Sequence, residues 1–129
     1  MRLNLLWLTL LTCARFTYAA MTVEEVRCEY ALNPIGICTL RPRLSWTLKD
    51  AARNQMQTAY QICVAASPEG LAAGSQLLWD TGKTASGENT HIVYEGTPLR
   101  PGMRCFWRIR AWDKQDRPTP WSEAALWQV

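Results

Sequence analysis

From residue 22 onward, apolar and polar side chains alternate in short runs separated by Gly, Pro, Asn and Asp, the period expected of half-buried β-strands. Val26, Cys28 and Tyr30 alternate with Arg27 and Glu29 until Asn33-Pro34-Ile35-Gly36 breaks the run. Leu44, Trp46 and Leu48 alternate with Ser45 and Thr47 just beyond Arg41-Pro42-Arg43, giving a second strand. A third is predicted from about Gln57 to Ala65, with Tyr60, Ile62 and Val64 on one face and Gln61 and Cys63 on the other. Ser67 is a good N-cap and Pro68 a good first helical residue, so Glu69 to Ala73 is expected to form one helical turn ended by Gly74. Leu77 to Asp80 and Thr90 to Glu95 read as two further short strands, and Leu99-Arg100-Pro101-Gly102 as a turn. Arg104 to Asp113 is the longest strand, and Ala124 to Val129 the last.

About seven strands spaced in this way predict an all-β fold, a two-sheet antiparallel sandwich of immunoglobulin/fibronectin type III type. Trp46 in the second strand and the Leu-x-Pro-Gly turn before the sixth favour the fibronectin arrangement. In that arrangement a Tyr four residues after the turn Pro usually closes a corner onto backbone; here the position is Cys105. In the longest strand Cys105, Trp107, Ile109 and Ala111 suit a core, while Arg104, Phe106, Arg108, Arg110 and Trp112 form an outward row of aromatics and guanidinium groups.

Composition narrows the function classes. The 129 residues are 48% apolar and 19% charged, which fits one globular domain and argues against disorder. The net charge of +3 is mild and its basic residues are scattered, so no nucleic acid partner is expected. Residues 1–20 carry one early Arg, an apolar core from Leu5 to Leu11, and Ala19-Ala20. That order reads as a secretory signal peptide, too short in its apolar part for a membrane span; the alternative is an over-extended start with Met21 the true first residue. The first reading predicts a secreted or periplasmic protein, the second a cytoplasmic one. Cys13, Cys28, Cys38, Cys63 and Cys105 show no CxxC spacing and His91 is the only histidine, so neither metal nor cofactor is expected.

As a set, the motifs resemble the start of bacterial α-L-rhamnosidases. They are Cys28-Glu29-Tyr30, Asn33-Pro34-Ile35-Gly36-Ile37, Pro42-Arg43-Leu44-Ser45-Trp46, Arg53-Asn54-Gln55 and Gln57-Thr58-Ala59-Tyr60-Gln61-Ile62. Leu78-Trp79-Asp80-Thr81-Gly82-Lys83, Tyr94-Glu95-Gly96, Trp107 to Asp113 and Trp121-Ser122 continue the order, so the likeness covers residues 22–129. The resemblance implies a non-catalytic N-terminal fibronectin type III-like β-sandwich. In that family a carbohydrate-binding-type β domain and an α/α-barrel follow, and the barrel's general acid and base release terminal L-rhamnose with inversion. None of that machinery lies in this stretch, so no catalytic residue carries over and a truncated or split reading frame is expected. Where the family tends to have Asp after Gly36-Ile37, this chain has Cys38.

Two sets of side chains invite a sharper reading. Asp80 and Asp113 each follow a Trp, as an acid beside a sugar platform would, but carboxylates at strand ends usually cap turns. Arg108, Arg110, Trp112 and Trp121 are the candidate site, because guanidinium groups stack on indole faces. Three readings stand: an internal ladder joining the last two strands, a face docking onto following domains of the same parent protein, or Trp stacking on rhamnose-containing glycans. A different class is a free-standing receptor- or adhesion-type fibronectin III binding module. Trp121-Ser122-Glu123 beside an Arg/Trp-rich strand resembles the Trp-Ser motif of cytokine-receptor domains.

Overall fold

Each alternating run has one apolar row to bury, so the runs pair edge to edge and close two sheets over a shared core. The computed structural model describes residues 18–50 and 54–129. Among them are β1 (Thr22–Cys28), β2 (Arg43–Lys49), β3 (Ala59–Ala65), α1 (Pro68–Ala73), β4 (Leu77–Asp80), β5 (Thr84–Ala85), β6 (Ile92–Val93), β7 (Arg104–Trp112) and β8 (Ala125–Gln128). One sheet has the order β1-β2-β6; the other runs β4-β3-β7-β8, with β5 also pairing β3. All these pairings are antiparallel. The fourth strand sits beside β3, not beside β6, which separates this order from that of constant-type immunoglobulin domains.

The core row of β7 is as the alternation predicts: Cys105, Trp107, Ile109 and Ala111 are wholly buried. They face Leu44 and Trp46 of β2 and Ile62 and Val64 of β3 in one cluster. A chain of aromatic edges crosses this core, from Trp79 to Tyr94 (5.2 Å between ring centroids), Tyr94 to Trp127 (5.7 Å) and Trp127 to Trp107 (6.3 Å). The helical turn is capped as its sequence requires: Ser67 Oγ accepts from Gly70 N, and Gly74 closes it in the left-handed conformation.

Four local expectations are corrected. The first strand ends at Cys28, not Tyr30, because Glu29 and Tyr30 adopt positive φ and Cys28 and Ala31 close a tight turn. Thr90 to Glu95 shrinks to Ile92–Val93, since His91 also has positive φ. Thr84–Ala85 is an extra strand, too short to show a period. Cys63 is not on an open face: Leu71 of α1, Ala65, Phe106 and Trp121 cover it.

The missing corner tyrosine has a counterpart on the other side of the turn. Tyr94 is buried and its hydroxyl donates to Thr97 O at 2.6 Å, closing the chain three residues on. Gly96 permits this turn, since a Cβ there would lie 2.5 Å from Leu78 O and 2.5 Å from Trp79 Cβ. Gly96→Ala is therefore expected to cost about 2 kcal/mol through overpacking, read as a lower urea midpoint at unchanged slope.

Burial, foremost, pushes the Cys28 thiol from near 9 up to about 12, and the Cys63 and Cys105 thiols up to about 11. The folded chain thus holds these protons more tightly than the unfolded one. The associated stability is complete below about pH 9 and is lost as pH rises through 11 to 12. Thermal midpoints are expected to fall steadily from pH 9 to 11 in a scan by circular dichroism; a flat profile would overturn this.

At the other end, Ala19 and Met21 are buried against Ala111, and Ala19 N donates to Pro118 O at 3.0 Å. Residues 1–17 of the signal-peptide reading lie outside the described residues.

Candidate functional site: the arginine–tryptophan ladder

The outward row of β7 projects from the five-stranded sheet, and the segment after it decides what that row meets. Thr119 N donates to Ala111 O (2.7 Å) and Ser122 N to Ile109 O (2.8 Å), while Thr119 Oγ1 and Ser122 Oγ accept from Ala111 N and Ile109 N. Two hydroxyls thus stand in for strand carbonyls, holding residues 119–122 along β7 although Pro118 and Pro120 cannot donate. The same anchoring swings Trp121 over the outer face.

There the predicted residues come together. Arg108 Cζ lies 4.3 Å from the centroid of Trp121, and Arg110 Cζ lies 4.5 Å from Trp121 and 4.9 Å from Trp112. Lys83 Nζ adds a further rung 5.1 Å from Trp112. The order is Lys83–Trp112–Arg110–Trp121–Arg108, with Trp112 buried and Trp121, Arg108 and Arg110 half-buried. Arg108 Nε has no hydrogen-bond partner among the described residues, so its close partner is the Trp121 ring.

Two rungs were absent from the sequence reading. Lys83 follows β4, and Gln61 comes from β3, where the register sets it beside Arg110. Gln61 Oε1 accepts from Arg110 Nε (3.0 Å) and Nη2 (2.8 Å), and Gln61 Nε2 donates to Asp80 Oδ1 at 3.0 Å. Burial alone would raise the Asp80 pKa, but the Gln61 and Gly82 N–H bonds hold it below the usual carboxylate range. The outward position of Gln61 in the third strand was the available signal for this contact.

The face is covered in two halves. Leu71 of α1 lies over Cys63 and Ala65, the ladder covers the rest, and Trp121 touches both. Stacked cations of this kind contribute about 0.5–1 kcal/mol each when exposed and about 2 when desolvated.

Asp113 takes a capping role, almost fully buried and accepting from Gln115 N, Arg117 N and Arg117 Nε. Asp80 Oδ1 caps Gly82 N at 2.8 Å. Asp116 pairs with Lys83. His91 is exposed, with the Tyr30 hydroxyl 2.9 Å from its Nε2. No group of three or more metal-ligating side chains occurs among the described residues, and no helix there is long and apolar enough to cross a membrane.

Residues 23–129 match the family described as Rha78A-like, N-terminal immunoglobulin domain. The chain is 37% identical over 111 residues to an α-L-rhamnosidase of Streptomyces avermitilis, covering 86% of this chain and 11% of that enzyme. It is 30% identical to an α-L-rhamnosidase of Formosa agariphila, over all of this chain and 14% of the enzyme. The solved α-L-rhamnosidase of Dictyoglumus thermophilum superposes with a TM-score of 0.80 at 36% identity, over 83% of this chain and 12% of that one. The chain spans a small fraction of the length of the curated relatives it matches. With strand order and sequence agreeing over its whole folded part, this chain belongs to the family of N-terminal immunoglobulin domains of Rha78A-like α-L-rhamnosidases.

Proposed function

We propose that this domain is a non-catalytic module of an α-L-rhamnosidase-like glycoside hydrolase, and that it packs against and positions the neighbouring domains of its parent. The parent would release terminal L-rhamnose by inverting hydrolysis, on carboxylates carried elsewhere. The observation that carries this reading is the match of residues 23–129 to an N-terminal domain that makes up only 11% of a rhamnosidase. The local chemistry supports it. Inverting hydrolysis needs two carboxyls facing each other across a sugar, roughly 6.5–9.5 Å apart. Here Asp80 and Asp113 are held by backbone N–H groups, Asp116 by Lys83, and Glu29 by Arg43. A receptor-type module would account for Ser122 seating the ladder but not for the rhamnosidase likeness from Asn33 to Gln61.

The purified chain should show no turnover of an aryl α-L-rhamnoside, and turnover would overturn the non-catalytic reading. Deleting the corresponding first domain from the Streptomyces avermitilis enzyme should lower its thermal midpoint, and grafting this chain in its place should restore it. A deleted enzyme as stable as the intact one would overturn the positioning role. The export reading rests on residues 1–20: a mature chain starting at Met21 outside the cytoplasm supports it, and an unprocessed cytoplasmic chain overturns it.

A further inference from the structure

An edge strand leaves a row of backbone groups open unless something lies along it. β8 is such a strand, and the Asn33–Ile37 segment covers it. Asn33 Oδ1 accepts from Leu126 N (3.0 Å) and Pro34 O from Gln128 N (3.1 Å), while Gln128 O accepts from Gly36 N (2.9 Å) and Ile37 N (3.0 Å). Val129 is then held at both backbone groups, donating to Met103 O (3.0 Å) and accepting from Gly102 N (2.7 Å). The motif Asn33-Pro34-Ile35-Gly36 is therefore a strap over the strand by which the chain leaves this sandwich.

The strap leaves its apolar side chains outside. Ile35 is 69% exposed, Leu32 57% and Leu40 45%. Beside Leu40 lies a hollow of about 450 Å³, walled by Tyr94, Gly96, Pro98 and Leu99 with Arg41 and Glu95 at its rim. Leu99 begins the turn whose Gly102 holds Val129, so strap and hollow share the end of the sandwich where the chain exits. Single exposed apolar residues are ordinary, but an apolar group beside a hollow marks an interface. On the outer sheet face, by contrast, the ladder side chains already stack on one another.

We propose that this exit-end surface, Ile35 and Leu40 with the adjoining hollow, is the seat of the domain that follows Val129 in the longer α-L-rhamnosidases. The occupant is named by continuity. In relatives of which this domain is 11 to 14%, the next polypeptide starts at the residue the strap and turn hold, so its effective concentration at the hollow is high. The inference rests on the positioning role proposed above and locates it.

Cys38, exposed between Ile35 and Leu40, provides the probe. In the graft onto the Streptomyces avermitilis enzyme, maleimide labelling of Cys38, followed by mass spectrometry, should slow about tenfold relative to the chain alone as docking covers it. Ile35→Asp with Leu40→Asp should restore the fast rate and lower the graft's thermal midpoint to that of the domain-deleted enzyme. The same pair should leave the isolated chain's midpoint unchanged. A graft that is stabilised yet labels as fast as the free chain would overturn the exit-end location and leave the positioning role standing. A graft no more stable than the deleted enzyme would overturn the positioning role and the inference with it.

Discussion

Replacing Gln57 with leucine is expected to destabilise the domain by about 3 kcal/mol, a fall of roughly 10–15 °C in thermal midpoint. Gln57 is buried and its amide is satisfied from both sides of the sandwich. Its Oε1 accepts from Trp46 Nε1 (3.0 Å), and its Nε2 donates to Ser86 O (3.0 Å) and Glu88 O (2.7 Å). Leucine fills much of the same volume, so the loss comes from a stranded indole N–H and two carbonyls left dry. Trp46→Phe removes the indole donor alone and leaves Gln57 Oε1 without it. The double variant should cost less than the sum of the two singles, because it removes both ends of one bond. A Gln57→Leu cost below about 1 kcal/mol would show that water replaces the amide.

Gln57 also marks where the sequence stops being legible. A polar residue just before an apolar run reads as a strand flank, and nothing local reveals that it lies under Trp46. The strands themselves were readable, because a period of two in β2, β3 and β7 states which face is buried without reference to partners. Cys63 was assigned to the outer face correctly by period, yet it is buried, since α1 folds back over it. Capping chemistry announced that helical turn but not what Leu71 would cover. The ladder was half legible for a similar reason. Arg108, Arg110 and Trp112 are on one strand and Trp121 nearby, whereas Gln61 and Lys83 enter through the pairing of β3 with β7 and the loop after β4. The strap was visible only as a motif; its bonds to Leu126 and Gln128 span more than ninety residues.

Removing Trp121 tests what the ladder is for. Trp121→Ala takes away the ring between Arg108 and Arg110 and the contact with Leu71 and Cys63. A cost of about 3 kcal/mol is expected, the low end for truncating a packed tryptophan, since this one is half-buried. Arg110→Met keeps the aliphatic stem but loses both stacks and the bonds to Gln61, for about 1–2 kcal/mol. In the double variant the costs should fall short of additive by about 1 kcal/mol, because Arg110 has already lost one of its rings. Coupling of that size, measured by urea unfolding of the isolated chain, would establish the ladder as a brace within the sheet. The opposite pattern is equally informative. A Trp121→Ala chain that unfolds like the parent, but fails to stabilise the grafted rhamnosidase, would make the ladder the docking face instead. A rhamnoside that raised the parent's midpoint and not the variant's would make it a sugar platform. The geometry favours the brace, because both faces of Arg110 are already spent on tryptophan and its edge on Gln61.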